Sequence, residues 1–392
     1  MPDFLHEARG LFEYSRSLRR DFHRRPELGF QEVRTAGIVA RELNSLGLEV
    51  RVGVGKTGVV TLLEGARPGP VLLLRFDMDA LPIVEETGAD YASETPGVMH
   101  ACGHDGHTAI GLTVARLLHV HRQEMPGTVK MVFQPAEEGL GGAQAMLEDG
   151  VLENPEPDRS LSLHVWNDEP LGWLGITPGP AMSAAEIFSV KIVGKGGHGA
   201  SPHLAIDPVL AASQVVSALQ GIVSRNVAPL KSAVISVTAI RGGDAFNVIP
   251  SVVDLQGTIR SFEPEVRRRV LDRFEQVVTG VAQAHGCQAE INLRHITPAV
   301  VNDAQVTARV QQAAARLLPE SRLDFNQRTM GSEDMAYIME RVPGCYFMVG
   351  SANAEKGLDA AHHHPRFDFD EEALVRASAL MAASAWDLLE EN

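Results

Sequence analysis

Cys102, Cys287 and Cys345 are the only cysteines in 392 residues. Three scattered thiols, odd in number, exclude a disulfide framework and read as the reduced thiols of a cytoplasmic protein, with one available as a ligand. Aromatic residues make up 5% of the chain, which gives no hint of platforms for stacking nucleic-acid bases. Basic residues are outnumbered, 35 Lys and Arg against 50 Asp and Glu, for a formal charge of −15. Phosphate contacts need clustered cations, so nucleic acid is not the expected partner. No apolar run approaches the ~18–20 residues of a membrane span. The N-terminal stretch MPDFLHEARGLFEYSRSLRRDFHRRPEL carries acids early and lacks the apolar core of a secretory signal. The expected location is the cytoplasm, away from membranes.

What is present is ample material for a core. Hydrophobic residues are 44% and charged residues 22%, the balance of a folded globular protein. At roughly 150 residues per domain, the length suggests two or three domains. Apolar residues recur at helical spacing from Asp3 to Arg20, and a second helix is expected over about Glu32–Leu46, ending near Gly47. Apolar strands follow at Val59–Leu63, Val71–Phe76, Val129–Phe133 and Leu161–Val165, separated by helices near Thr108–His121 and Gly142–Glu148. The segment VLLLRF reads as apolar throughout, as in a strand buried on both faces. Alternating strands and helices predict an α/β domain with a mostly parallel sheet.

After about Ala184 the order becomes strand, helix, strand, strand, helix, strand, over Glu186–Leu293. That is the β-α-β-β-α-β pattern of a ferredoxin-like α+β unit. Helices at about Asp303–Leu317 and Asp370–Glu390, with a strand at Cys345–Val349, then resume the first pattern. The expected organisation is a catalytic domain of residues 1–183 and 295–392 interrupted by an inserted domain, 184–294.

The chemistry-bearing residues gather directly after buried strands. Asp77-Met78-Asp79 follows VLLLRF, Gln134-Pro135-Ala136-Glu137-Glu138 follows VKMVF, and His164 sits at the end of LSLHVW. In open α/β sheets the ligand site lies beyond the carboxyl ends of the strands, so these positions should converge. The densest cluster is His100-Ala101-Cys102-Gly103-His104-Asp105-Gly106-His107. In an extended segment, residues i and i+2 point the same way, which would aim Cys102 and His104 at one metal. Two adjacent acids are usually a solvated turn. Directly after an apolar strand, Glu137 and Glu138 instead suggest a division of labour, one binding metal and one keeping a lone pair as general base. The run His362-His363-His364-Pro365 offers one further ligand. Gly53-Val54-Gly55-Lys56-Thr57-Gly58 fits a dinucleotide fingerprint in letters, yet a strand follows it where a helix is required.

The motifs FDMDALP (76–82), MHACGHDGHTA (99–109), FQPAEEG (133–139), LHVW (163–166), GKGGHGASPH (194–203), NVIP (247–250), GTIR (257–260), GSEDM (331–335) and HHPRFDFDE (363–371) run through nearly the whole chain. In them the sequence resembles the M20 metallopeptidase family, in its branch of N-acyl-amino-acid, hippurate and indole-acetyl-amino-acid hydrolases. The resemblance implies two divalent metals, zinc, manganese or cobalt, held by Cys102, His104, Glu138, His164 and His363, with Cys102 bridging. It implies Glu137 as general base and Asp79 as the acid that orients the site. It further implies that the inserted domain is a dimerisation lid. His198 would then reach the partner subunit's active site, and Asn247 and Arg260 would hold a substrate carboxylate. The expected activity is hydrolysis of an N-acyl amino acid by a homodimer. A dipeptidase or carboxypeptidase, or a non-catalytic binder of acylated amino acids, are the alternatives.

Overall fold

The strand Arg67–Asp77 is buried over its last six residues and lies inside an eight-stranded sheet. The computed structural model describes residues 2–390. In order, the sheet runs Val50–Val54, Gly58–Glu64, Pro126–Gln134, Arg67–Asp77, Arg159–Pro170, Gly344–Ala352, Trp173–Gly175 and Arg322–Asp324. From Pro126–Gln134 to Gly344–Ala352 the four central strands pair in parallel. Antiparallel pairing is confined to the first three strands and to Trp173–Gly175 against Gly344–Ala352. This is the mostly parallel α/β sheet that the alternating pattern predicts. Helices His104–Val120 and Glu372–Leu389 pack against its strands. The second of these is buried along almost its whole length, its alanines and serines allowing close approach.

Two local expectations fail. VLLLRF is not apolar throughout, because Arg75 stands in it and is fully buried. Its guanidinium is compensated by Asp77, Gln134 and Asp334, which is what a buried charge requires. The helix expected over Asp3–Arg20 is two helices, Phe4–Gly10 and Phe12–Arg24. Gly10 has the lowest helix propensity of the non-proline residues and sits at the break.

By its own contacts the chain divides into two compact units. One comprises the chain up to Ala181, Val301–Arg328 and the chain from Asp334; the other comprises Met182–Val300 and Thr329–Glu333. The second unit holds a four-stranded antiparallel sheet, ordered Ala233–Arg241, Val252–Ser261, Ala184–Val193, Gln288–Thr297. Helices Pro208–Asn226 and Pro264–Ala284 close its core. The order of elements is the predicted β-α-β-β-α-β. Phe274, fully buried, meets Phe188 at 4.7 Å between ring centroids, and its truncation to alanine would cost about 3–5 kcal/mol. No helix among the described residues is long and apolar enough to cross a membrane.

Candidate metal centre

Parallel neighbours present their carboxyl ends on one edge of the sheet, and there the polar residues meet. Arg67–Asp77 ends in Asp77, Pro126–Gln134 leads into Pro135–Glu138, and Arg159–Pro170 carries His164. The fourth contribution comes from the helix His104–Val120, which begins four residues earlier than its apolar spacing suggests. Its start is set by Gly103, which has φ +91°. A Cβ on Gly103 would lie 2.5 Å from Val165 Cγ2, so both conformation and space require glycine. Cys102 and His104 are therefore not aimed together by an extended strand, as the i, i+2 rule had it. They flank a left-handed turn, and His104 opens the helix.

The ligand atoms of Cys102, His104 and His164 lie within 4.8 Å of one another, and so do those of Cys102, Glu138 and His363. Cys102 thus belongs to two donor groups through one sulfur. His104, Glu137 and Glu138 form a further group at the same spacing. Two residues at this locus have left-handed backbone without being glycine, Ala136 at φ +53° and His363 at φ +65°. Each such conformation costs of order 1–3 kcal/mol and persists only where the surroundings hold it.

Hydrogen bonds aim the imidazoles inward. His164 Nδ1 donates to the Val165 carbonyl at 2.5 Å, leaving Nε2 bare and 3.4 Å from Cys102 Sγ. Burial, with His107 and His362 alongside, pushes the His164 pKa well below its ordinary value, so the ring is neutral. His104 Nδ1 donates to Asp79, 3.0 Å from its carbonyl and 3.2 Å from Oδ1. Asp79 Oδ2 accepts the Glu138 backbone N–H at 3.0 Å. One carboxylate therefore orients two members of the cluster. Such outer partners fix tautomer and ring direction in metal sites.

The donor set fits a divalent cation. His104 Nε2 is buried with no hydrogen-bond partner among the described residues, an arrangement that costs free energy unless something else binds it. Glu138 Oε1 lies 3.3 Å from His363 Nε2. The Cys102 thiol and the Glu138 carboxylate raise the His363 pKa to about 10. Thiolate and imidazole suit zinc, and the carboxylate leaves manganese and cobalt open.

Several buried residues behind the cluster were given no role by sequence reasoning. Asp334 donates its N–H to Glu137 Oε1 at 3.4 Å, while its carboxylate receives Arg75, Gln134 and the Ala143 N–H. Arg75 continues to Asp77 at 2.6 Å, and Asp77 accepts from His107 Nδ1 at 2.6 Å. His107 Nε2 accepts the Val165 N–H. Burial opposes ionisation of Asp77, but His104, His107 and Arg75 hold its carboxyl well below the usual range. Glu32 accepts the N–H of Ala136, the residue before Glu137, at 2.9 Å. The signal for Asp77, His107 and Asp334 was their place inside FDMDALP, MHACGHDGHTA and GSEDM. Arg75 and Glu32 gave none.

The other three candidates belong to the second unit. His198 is exposed on a small antiparallel ribbon opposite Val248, and the exposed Asn247 lies in the turn just before that strand, its carbonyl accepting the Gly199 N–H. Arg260 is half-buried on Val252–Ser261. Burial lowers its pKa, with Glu186 opposing.

Comparison with known proteins adds independent findings. The sequence profile of peptidase family M20/M25/M40 matches residues 73–387. YhaA of Bacillus subtilis, which carries an amidohydrolase name, is 45% identical over 377 residues, covering 96% of this chain and 95% of YhaA. An N-acetylcysteine deacetylase of the same organism is 41% identical over 375 residues, covering 95% of this chain and 96% of its own length. Among solved structures, the Bacillus subtilis protein YXEP, described as a dinuclear metal-binding peptidase of the M20 family, superposes with a TM-score of 0.85. It is 37% identical, and the match spans 98% of this chain and all of that one.

Proposed function

The chain belongs to peptidase family M20/M25/M40 as one of its amidohydrolases, and from that premise we propose that it cleaves the amide bond of N-acyl-L-amino acids. The products are a carboxylic acid and a free amino acid. The observation that carries this reading is the double membership of Cys102, whose single sulfur joins His104 and His164 on one side and Glu138 and His363 on the other.

Cys102, His104, Glu138, His164 and His363 would hold two divalent cations, which supply polarisation of the scissile carbonyl and a water whose pKa falls towards ~7. Glu137, next to Glu138 in the chain, takes the proton from the attacking water as the water's oxygen adds to the carbonyl carbon. As the C–N bond breaks, Glu137 returns the proton to the leaving nitrogen, so no net proton is lost. Asp79 keeps His104 and Glu138 aimed throughout, and Asp334 holds Glu137 through its backbone N–H. Relatives named for N-acetylcysteine deacetylation support an acylated amino acid as substrate.

In the same reading, residues 1–183 and 295–392 form the catalytic domain and 184–294 an inserted dimerisation lid in a cytoplasmic homodimer. His198 polarises the carbonyl of substrate bound to the partner subunit, and Asn247 and Arg260 bind the substrate carboxylate. Arginine suits that task because its planar fork pairs with a carboxylate through two hydrogen bonds.

The test is a hydrolysis panel of acetyl-, benzoyl- and indole-acetyl-amino acids against dipeptides, with manganese, zinc and cobalt each supplied. Turnover of the acyl amino acids by metal-loaded protein is expected. Cleavage of dipeptides alone would replace this reading with a peptidase, and binding without turnover would replace it with a non-catalytic binder.

A further inference from the structure

Behind the first turn of His104–Val120 lies a second buried ionic cluster that the hydrolytic scheme does not use. Its centre is Arg19, fully buried on helix Phe12–Arg24. Arg19 Nε donates to Asp105 Oδ2 at 2.8 Å, Nη2 donates to Asp368 Oδ1 at 2.6 Å, and Nη1 reaches Glu371 Oε1 at 3.3 Å. The Tyr91 ring covers the guanidinium at 4.9 Å and the Phe369 ring at 4.4 Å. The Tyr91 hydroxyl donates to the remaining oxygen of Asp368 at 2.6 Å. His23 Nδ1 pairs with the same Asp105 oxygen at 2.7 Å.

The partners of Arg19 are placed unequally along the chain. Asp105 immediately follows His104, and Asp368 comes five residues after His363. These are the two segments that approach Cys102 from opposite donor groups. Their backbones already touch once, where the His363 N–H donates to the Ala101 carbonyl at 2.8 Å. Otherwise they meet through the Phe367 and Phe369 rings, which lie against Gly103 and Gly106, and such apolar packing is non-directional and leaves the segments freedom to shift. A second, rigid link removes that freedom, and a planar fork held between two rings is rigid. Stability alone gives little reason for the cluster, since well-packed apolar residues replace buried ion networks at no loss in many proteins.

We propose that Arg19 is a positioning residue of the metal centre: it clamps the His104 segment to the His363 segment through Asp105 and Asp368 and so sets the separation of their ligand atoms. This rests on the ligand assignment made under Proposed function. Arg19 touches neither substrate nor ligand and acts only through the two carboxylates.

The experiment uses full-length protein stripped of metal and titrated with cobalt(II), followed by absorption. The thiolate-to-cobalt charge-transfer band reports Cys102, and the d–d bands report coordination geometry. Arg19→Lys keeps the charge, but one ammonium cannot hold three carboxylates in the geometry of the fork. It should weaken cobalt binding about 10- to 100-fold and change the d–d bands, with near-UV circular dichroism retained. Asp368→Asn leaves Arg19 bound to Asp105 and Glu371 and loosens only the His363 side. It should weaken one of the two cobalt equivalents and spare the other, and it decides the matter if Arg19→Lys does not fold. Val310→Ala, a cavity at a core residue of helix Ala304–Leu317 that belongs to neither segment, serves as a destabilised control and should bind cobalt as wild type does. Wild-type affinity and spectra in folded Arg19→Lys or Asp368→Asn would overturn the clamp while leaving the metal centre standing. Equal weakening by Val310→Ala would reduce Arg19 to general stability and overturn it too. A wild-type chain that takes up no cobalt, or a band unchanged in Cys102→Ser, would instead overturn the ligand assignment.

Discussion

The two units hold their candidate site residues in different ways. In the first, His104, Asp77, Asp79 and His107 are almost wholly buried and each is fixed by named partners. In the second, His198 stands exposed on a short ribbon and Asn247 exposed in the turn beside it, and the His198 ring accepts the nearby Ala200 N–H. Buried polar groups must be satisfied locally, so their roles are visible in the unit that contains them. Exposed groups carry no such obligation, and their chemistry depends on what they meet. The difference separates residues whose partners their own unit supplies from residues whose partners it leaves open.

The comparison breaks first at Glu137. Glu137→Gln should lower kcat by about 10²–10⁴, with metal content near wild type by elemental analysis. A metal-loaded variant that turns over normally would take Glu137 out of the chemistry. Next comes the exposed side of the contrast. His198→Ala should lower kcat by about 10²–10³, the scale of one lost contact to a developing oxyanion, without removing metal. Mixing His198→Ala with Glu137→Gln subunits should restore activity, since in the proposed homodimer one mixed site would have both residues intact. Activity no higher than in either variant alone, with heterodimers demonstrated, would end the case for catalysis in trans.

Cys102→Ser tests the buried side. A hydroxyl replaces a thiol in both donor groups, and the loss of metal affinity should exceed the roughly 10- to 100-fold of an outer-partner change. Dialysis followed by metal analysis measures it, and unchanged stoichiometry would remove the bridging sulfur. The smallest effect concerns pH. Burial disfavours a charged His23, but Asp105 more than offsets it, raising the pKa to about 9. A raised pKa gives stability that is complete below about pH 6.5 and lost as pH rises through about 9. The difference in unfolding free energy between wild type and His23→Gln should shrink by about 3 kcal/mol across that window. Denaturant melts at pH 6.5 and 9.5 would show it, and a pH-independent difference would mean His23 is not charged in the fold.

The alternation of apolar segments made the parallel sheet and the β-α-β-β-α-β unit legible, because burial on two faces or one leaves a periodic trace. The gathering of Asp, Glu, His and Cys after strand ends pointed to one edge of the sheet for the same reason. Periodicity misplaced the start of His104–Val120, where polar ligands occupy the first turn and hide the helix. It also passed over Arg75 as one letter in an apolar run.

By itself, the order of residues determined the fold class, the supply of metal-ligating side chains and their grouping into motifs, since these depend on local pattern and chemistry. Only the tertiary structure decided which partners each side chain has. Arg19 and Asp368 are 349 residues apart and bonded at 2.6 Å, and Arg75 and Asp334 are 259 apart and bonded at 3.1 Å. No spacing rule spans such distances, because side-chain pairing across a sheet edge is set by how the chain closes on itself, and a buried charge finds its counter-ion only there.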